Sequence, residues 1–154
     1  ECFIANDNSN LQVVVSGLKK DINLLSDDLN NKKIKNLKLN VSAPFHCKYM
    51  KTASEKMISH INDLEMNELE KPIISNVTAN ETSSLKEIKS LLISQIARKV
   101  RWLESVEYMI NNGVKNFVEI GPGKVLSGLI KRINKNVNVN SINNEKDIKL
   151  LIND

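Results

Sequence analysis

His46 is the residue of this chain best suited to moving a proton. It is one of two histidines and lies in the run Val41-Ser-Ala-Pro-Phe-His-Cys-Lys-Tyr-Met50. The segment Ile34 to Val41 alternates apolar and polar residues like a strand, and apolar spacing of the helical kind follows from Met50. A histidine at that junction presents a ring nitrogen to a reacting group, and the positive end of a following helix favours the neutral ring. That is the description of a general base. The bland alternative is a structural histidine where a helix begins. No residue of the 154 stands out as a nucleophile for His46 to activate. Cys47 is adjacent, but neighbouring residues at a strand mouth point apart, and a nucleophile must sit within hydrogen-bond reach of its base.

Gln95 is the second candidate. The apolar stripe of its predicted helix runs Ile88, Leu91, Leu92 and Ile96, and Gln95 falls on that face. A buried amide left without partners costs roughly 1–3 kcal/mol. Accepting the ring N–H of His46 through its side chain would satisfy it and fix the ring's tautomer, as a carboxylate does in serine-hydrolase triads. An amide at the edge of the stripe, bonded to a loop, is the other possibility. Gly121-Pro-Gly-Lys124 opens a predicted helix after a strand, so its N–H groups could meet a phosphate. It lacks the spacing of a phosphate-binding loop and reads equally as a rigid turn. His60 lies mid-helix and shares no metal-ligand spacing with His46.

The elements that must position these residues follow from periodicity. Leu11 to Val15 is a β-branched strand, and Leu18, Ile22, Leu25 and Leu29 mark a helix. Ile34 to Val41 is predicted as a strand, and Met50 to Leu64 as a helix. Pro72 to Val77 is a short strand, and helices follow over Leu85 to Arg98 and Trp102 to Asn112. Asn116 to Ile120, Val125 to Ile133, Val137 to Ile142 and Asp147 to Ile152 read as strand, helix, strand and helix. Strands alternating with helices make this an α/β chain.

Composition narrows the function. With 41% apolar and 26% charged residues the chain is of globular type. Its 22 asparagines and 19 lysines have AT-only codons, so an AT-rich genome accounts for the bias. The net charge of +4 is spread along the chain and includes only three arginines, with no basic stripe interleaved with aromatics. Nucleic-acid binding is therefore disfavoured, and an acidic protein or phosphorylated partner fits better. Two cysteines are too few for a disulfide framework. No run of 18 apolar residues is present, so no membrane span is expected.

Four blocks carry a resemblance. They are Ala5-Asn-Asp-Asn-Ser9 leading into Gln12-Val-Val-Val-Ser-Gly17, and Val41-Ser-Ala-Pro-Phe-His46 with Met50 and Lys51. Gln95 with Val100-Arg-Trp102 and Ser105-Val-Glu-Tyr-Met109 comes next. The last is Phe117-Val-Glu-Ile-Gly-Pro-Gly-Lys-Val-Leu126 with Gly128 and Leu129. In this order they resemble the C-terminal half of the malonyl-CoA:acyl carrier protein transacylases. The resemblance implies the C-terminal part of an α/β-hydrolase-like acyltransferase domain. Residues 1–39 would be the tail of an inserted ferredoxin-like subdomain, and residues 40–154 part of the large subdomain.

By the same resemblance His46 is the catalytic histidine and Gln95 the residue whose side chain orients it. Asn6 lies close to the active site, and Asn8 belongs to the same substrate-binding motif with Ser9 in support. The family's serine nucleophile sits in a Gly-His-Ser-x-Gly elbow, absent from these residues. Its oxyanion loop and malonate-gripping arginine are absent too. Asn10-Leu11 stand where the family has Pro-Gly, and Phe45 resembles the malonyl-selective type. The implied reaction moves malonyl from malonyl-CoA to the phosphopantetheine thiol of acyl carrier protein in fatty acid biosynthesis, without metal or redox cofactor. The implied partners are acyl carrier protein, a CoA thioester and an N-terminal half of the same enzyme, with neither nucleic acid nor membrane. The implied compartment is the cytoplasm or an organellar matrix. The isolated chain is expected to be inactive. The rival expectation is a non-catalytic remnant or split-protein module that binds acyl carrier protein or its missing half.

Overall fold

A computed structural model describes residues 1–153, with side chains described to Leu150; Asp154, the last residue of the expected large subdomain, lies outside the described residues. The chain divides into two compact units, Glu1–Trp102 and Leu103–Asp154. The coarse expectation of a mixed α/β chain holds in both.

The first unit opens with a hairpin. β1 (Cys2–Ser9) pairs antiparallel with β2 (Gln12–Gly17) in the register Cys2↔Gly17 to Ser9↔Gln12, so Asn10 and Leu11 form the turn. The register shifts between Ile4 and Asn6 and again between Asp7 and Ser9, which leaves Ala5 and Asn8 at bulges of the edge strand. Bulges bend and twist a strand, and they re-aim its side chains. Helix α1 (Lys19–Asn31) follows, and Lys33 past its end takes the left-handed conformation (φ 58°) that often closes a helix.

The predicted strand Ile34–Val41 does not form. These residues lie outside regular structure, and Leu37, Leu39 and Val41 are exposed. Alternation describes which face each side chain takes; a strand also needs a neighbour to share its ladder. Among the described residues this segment has none.

A 3₁₀ turn, Lys48–Met50, then leads into α2 (Lys51–Asn62), so the helix starts later than the sequence implied. Helix α2 packs on α3 (Leu85–Ser94), and Ser54 Oγ donates to the Ile93 carbonyl at 2.7 Å. The expected strand Pro72–Val77 shrinks to β3 (Ile73–Ile74), paired antiparallel with β4 (Glu81–Thr82). Ser84 caps α3 by accepting the Glu87 N–H. The helix ends at Ser94, earlier than the predicted Arg98. Ala5, Cys47, Ile61, Ala79, Ile88 and Val100 form this unit's buried core.

The second unit is a strand–helix–strand arrangement. α4 (Trp102–Asn111) begins on the last residue of the first unit, and its Val106 is fully buried. β5 (Asn116–Ile120) and β6 (Asn138–Ile142) are parallel in register, joined through α5 (Val125–Ile133), as a parallel pair requires. α6 (Glu145–Asn153) follows. Leu129, Ile130 and Val137 are buried, while Ile120 and Val125 are more than two-thirds exposed.

Candidate active site

His46 is held in a left-handed backbone conformation (φ 58°), in the turn after Pro44. That conformation costs a non-glycine residue roughly 1–2 kcal/mol. Lys33 and Ala79 take the same conformation (φ 58° and 57°), so the backbone alone assigns the ring no role and its partner must. Phe45 N–H donates to the Ala43 carbonyl at 3.0 Å, and Met50 N–H to the Cys47 carbonyl at 2.9 Å, so the turn is tied on both sides of the histidine.

The ring's partner is a main-chain group. Nδ1 of His46 lies 2.9 Å from the backbone carbonyl oxygen of Gln95. A carbonyl only accepts, so Nδ1 carries the hydrogen and donates it, which fixes the tautomer. In the neutral ring Nε2 then keeps its lone pair, available to take a proton from a group placed beside it. His46 and Gln95 do meet, but through the Gln95 main chain and not through the side chain that was expected. The Gln95 side chain is turned elsewhere, and its Oε1 accepts from Asn76 Nδ2 at 3.3 Å. The reason is local: Gln95 is the C-terminal cap of α3, and the last carbonyls of a helix have no partner within it. One of those spare carbonyls takes the ring N–H.

Asn76 was not legible as part of this site. It lies just past β3, and its own carbonyl accepts the Arg101 N–H at 3.0 Å. Arg101 Nη1 donates to the Val77 and Thr78 carbonyls at 3.2 and 2.9 Å. Asn76 thus ties the Gln95 side chain to the loop ahead of α4. The only cue in the sequence was an asparagine at a strand end, which any turn supplies.

Asn6 sits on β1 beside the same loop. The Val100 N–H donates to the Ala5 carbonyl at 2.8 Å and the Asp7 N–H to the Val100 carbonyl at 2.9 Å, forming a parallel bridge between Asn6 and Val100. The Asn6 and Asn8 side chains are half-buried and make no hydrogen bond among the described residues. Asn8 occupies the second bulge. Neither is hydrogen-bonded to the His46 ring; what links Asn6 to Gln95 is the short stretch from Gln95 to Val100.

The remaining candidates separate from this centre. Cys47 is buried and its thiol donates to the Pro44 carbonyl at 3.1 Å, away from any dyad with the ring. His60 is exposed on α2. Among the described residues, no group of three or more His, Cys, Asp or Glu is placed to hold a metal ion. No helix among them is long and apolar enough to cross a membrane.

In the second unit the turn Gly121-Pro-Gly123 is already committed. The Glu119 carboxylate, reaching up from β5, accepts the Ser127 N–H at 2.8 Å and the Leu126 N–H at 3.1 Å. Gly123 N–H donates to Asn143 Oδ1 at 2.6 Å. Hydrogen bonding from Ser127, by side chain and then main chain, with the Leu126 N–H in support, holds the Glu119 carboxyl below its usual value. An internal carboxylate fills the α5 N-terminus where a phosphate would have to sit, so the rigid-turn reading of this motif is the one the geometry favours. Glycine is needed there because Gly121 and Gly123 have φ of 140° and 98°.

Comparison with known proteins adds a consistent picture. No family model matches the chain. It is 41% identical over 148 residues to the malonyl CoA-acyl carrier protein transacylase of Staphylococcus aureus (strain COL), covering 94% of this chain and 47% of that protein. It is 38% identical over 150 residues to the protein of the same name from Bacillus subtilis (strain 168), covering 97% and 47%. The chain therefore spans about half the length of the curated relatives it matches. Among solved structures, acyl-carrier-protein-S-malonyltransferase from Bartonella henselae superposes with a TM-score of 0.92 at 36% identity, covering 99% of this chain and 49% of that one. A malonyl-transacylase solved in complex with a type II PKS acyl-carrier protein gives a TM-score of 0.92 at 34% identity, over 100% and 50%.

Proposed function

We propose, from a chain that corresponds to the C-terminal half of malonyl CoA-acyl carrier protein transacylases, that these residues supply the general base of a malonyl transfer. The substrates would be malonyl-CoA and the phosphopantetheine thiol of acyl carrier protein. The nucleophile is a serine on the polypeptide that makes up the other half of the enzyme. On this reading residues 1–39 form the tail of a small ferredoxin-like subdomain, and the remainder belongs to a larger α/β-hydrolase-like one.

The observation that carries the proposal is the His46 Nδ1–Gln95 carbonyl contact at 2.9 Å, which leaves Nε2 as the ring's working nitrogen. Serine Oγ attacks the malonyl thioester carbonyl as its proton passes to Nε2. The tetrahedral oxyanion collapses with cleavage of the C–S bond, and the CoA sulfur leaves with the proton now on Nε2. In the second half-reaction the carrier thiol gives its proton to Nε2 and attacks the acyl-serine, and the serine oxygen takes the proton back. Only an acyl group and protons move, so the cycle asks for no metal or redox partner. Asn6 and Asn8, with free amides beside the loop that follows Gln95, serve to position substrate.

In the chain completed by its N-terminal half, His46→Ala lowers the rate of labelled malonyl transfer to acyl carrier protein by about 10²–10⁴, the usual worth of a positioned acid–base group. A rate within threefold of the unaltered enzyme would remove His46 from the reaction. If the completed chain binds acyl carrier protein yet transfers nothing, the alternative of a binding module replaces the enzymatic reading.

A further inference from the structure

Two carbonyls at the C-terminal end of α3 are held by side chains from one short stretch of chain. Carbonyls at a helix end have no partner within the helix. The Ile93 carbonyl accepts the Ser54 hydroxyl at 2.7 Å, and the Gln95 carbonyl, two residues on, accepts the His46 ring N–H at 2.9 Å. Ser54 closes the first turn of α2, eight residues after His46. A serine within a helix ordinarily bonds back to a carbonyl of its own preceding turn. This hydroxyl crosses to another helix instead. The chain between the two side chains is itself tied. The Cys47 thiol donates to the Pro44 carbonyl at 3.1 Å, and the Met50 N–H closes the 3₁₀ turn on the Cys47 carbonyl at 2.9 Å.

We infer that Ser54 is a positioning residue for His46: its bond to the Ile93 carbonyl fixes the height of the His46 turn against α3 and so keeps Nδ1 on the Gln95 carbonyl. Apolar packing between α2 and α3 is non-directional and does not set that height. A hydrogen bond is directional and fails within a fraction of an ångström. A general base must stand within hydrogen-bond reach of the proton it takes, so a turn that slips along α3 loses rate with the ring itself unaltered. A second link joins the same two helices at the opposite end of α2, where Lys89 Nζ donates to the Asn62 and Leu64 carbonyls at 2.7 and 2.6 Å. Lysine presents a point charge on a flexible stem, so this link stabilises the pair without fixing its register. The inference rests on the transferase reading for the ring's use, and on geometry alone for the ring's orientation.

The first test uses the 154-residue chain, labelled with nitrogen-15, unaltered and as Ser54→Ala and Lys89→Met. Alanine is a better helix former than serine, so α2 survives the first change, and Tm is recorded for both variants. The readout is the chemical shift of each imidazole nitrogen at about pH 9, well above the ordinary histidine value of about 6.5. The exposed ring of His60 serves as the reference in the same spectrum. A ring held by a carbonyl shows a protonated Nδ1 and a bare Nε2, whereas a ring in water averages its two tautomers. Ser54→Ala lowers the ratio of the Nδ1–H to the Nε2–H tautomer at His46 by about two- to tenfold, the equivalent of one neutral hydrogen bond. Lys89→Met lowers Tm and leaves that ratio unchanged.

In the chain completed by its N-terminal half, Ser54→Ala lowers kcat for malonyl transfer by a similar factor with KM for malonyl-CoA unchanged, and Lys89→Met alters neither. A tautomer ratio that falls as expected, in a completed chain that transfers nothing, supports the positioning role and removes only the transferase reading. An unchanged ratio in Ser54→Ala overturns the inference and leaves the transferase reading intact. Equal falls in Ser54→Ala and Lys89→Met also overturn it, because the cause is then a general loosening of the helix pair. So does a His46 ring that averages like His60 in the unaltered chain. A fallen ratio with undiminished kcat in an active completed chain overturns it too, since the hold on Gln95 would then not set the rate.

Discussion

Replacing Gln95 by alanine separates the two ways in which this residue could serve His46. If the side-chain amide orients the ring, Gln95→Ala removes the orienting group and approaches His46→Ala in severity. The structure assigns that job to the Gln95 carbonyl, at 2.9 Å from Nδ1, and every residue type keeps its carbonyl. What alanine deletes is the contact between Oε1 and Asn76 Nδ2, which at 3.3 Å is long for its kind. A part-buried neutral hydrogen bond contributes about 0.5–1.5 kcal/mol, and this length places it near the lower end. Some of that is recovered if Asn76 finds water. Stability should therefore fall by about 0.5–1 kcal/mol and malonyl transfer by less than about fivefold, against the 10²–10⁴ expected for His46→Ala. Initial rates of labelled malonyl transfer to acyl carrier protein, measured on both variants of the completed chain, make the comparison. Equal losses in the two variants would refute the main-chain assignment and return the role to the amide.

On the proposed reading the 154-residue chain on its own should transfer no malonyl group above the uncatalysed rate, since no serine is hydrogen-bonded to His46 among the described residues; turnover in a labelled malonyl-CoA assay would contradict the placement of the nucleophile. Glu119→Gln should lower Tm at pH 7, because the carboxylate satisfies two N–H groups at the start of α5. The folded-state pKa of Glu119 is depressed, so the unfolded chain binds the proton more tightly. The stabilisation is present above the ordinary glutamate value of about 4.3 and is lost as pH falls through the lower folded value. Thermal melts should show the gap between variant and unaltered chain closing below that range, and a constant gap from pH 7 to pH 3 would count against the charged cap.

Much of the second unit could be read before it was seen. Asn116–Ile120 and Val125–Ile133 match the predicted strand and helix, and Val137–Ile142 differs by one residue. Each is short, β-branched or strongly amphipathic, and punctuated by Gly113 or the Gly121-Pro-Gly123 turn, so local and tertiary preferences agree there. Ile34–Val41 shows the opposite case. Its alternation is genuine, yet pairing depends on a neighbouring strand, and periodicity within one segment carries no information about that. The site divides along the same line. His46 was conspicuous because of its residue type, and Gln95 because a polar side chain interrupts an apolar stripe. The atom that matters at Gln95 is a carbonyl present in every residue, and its importance comes from standing at the end of α3. Asn76 and Glu119 act through contacts across 19 and 8 residues of chain, which no spacing rule reveals.

The identity of that partner bears on what the base can do. A carboxylate behind a catalytic imidazole brings a full negative charge that stabilises the imidazolium formed when a proton is taken. The Gln95 carbonyl is neutral, but it stands at the C-terminus of the ten-residue helix α3. The aligned peptide dipoles of a helix place roughly half a negative charge there. The ring N–H therefore donates to an oxygen that carries part of that negative charge, which fixes the ring's orientation. A transfer between two thioesters needs the proton back in each half-reaction, first for the departing CoA sulfur and then for the serine oxygen. A base that holds its proton too tightly slows that return. On the proposed reading, a neutral main-chain carbonyl suits a reversible transfer better than a carboxylate would, and substitution of the Gln95 side chain does not remove it.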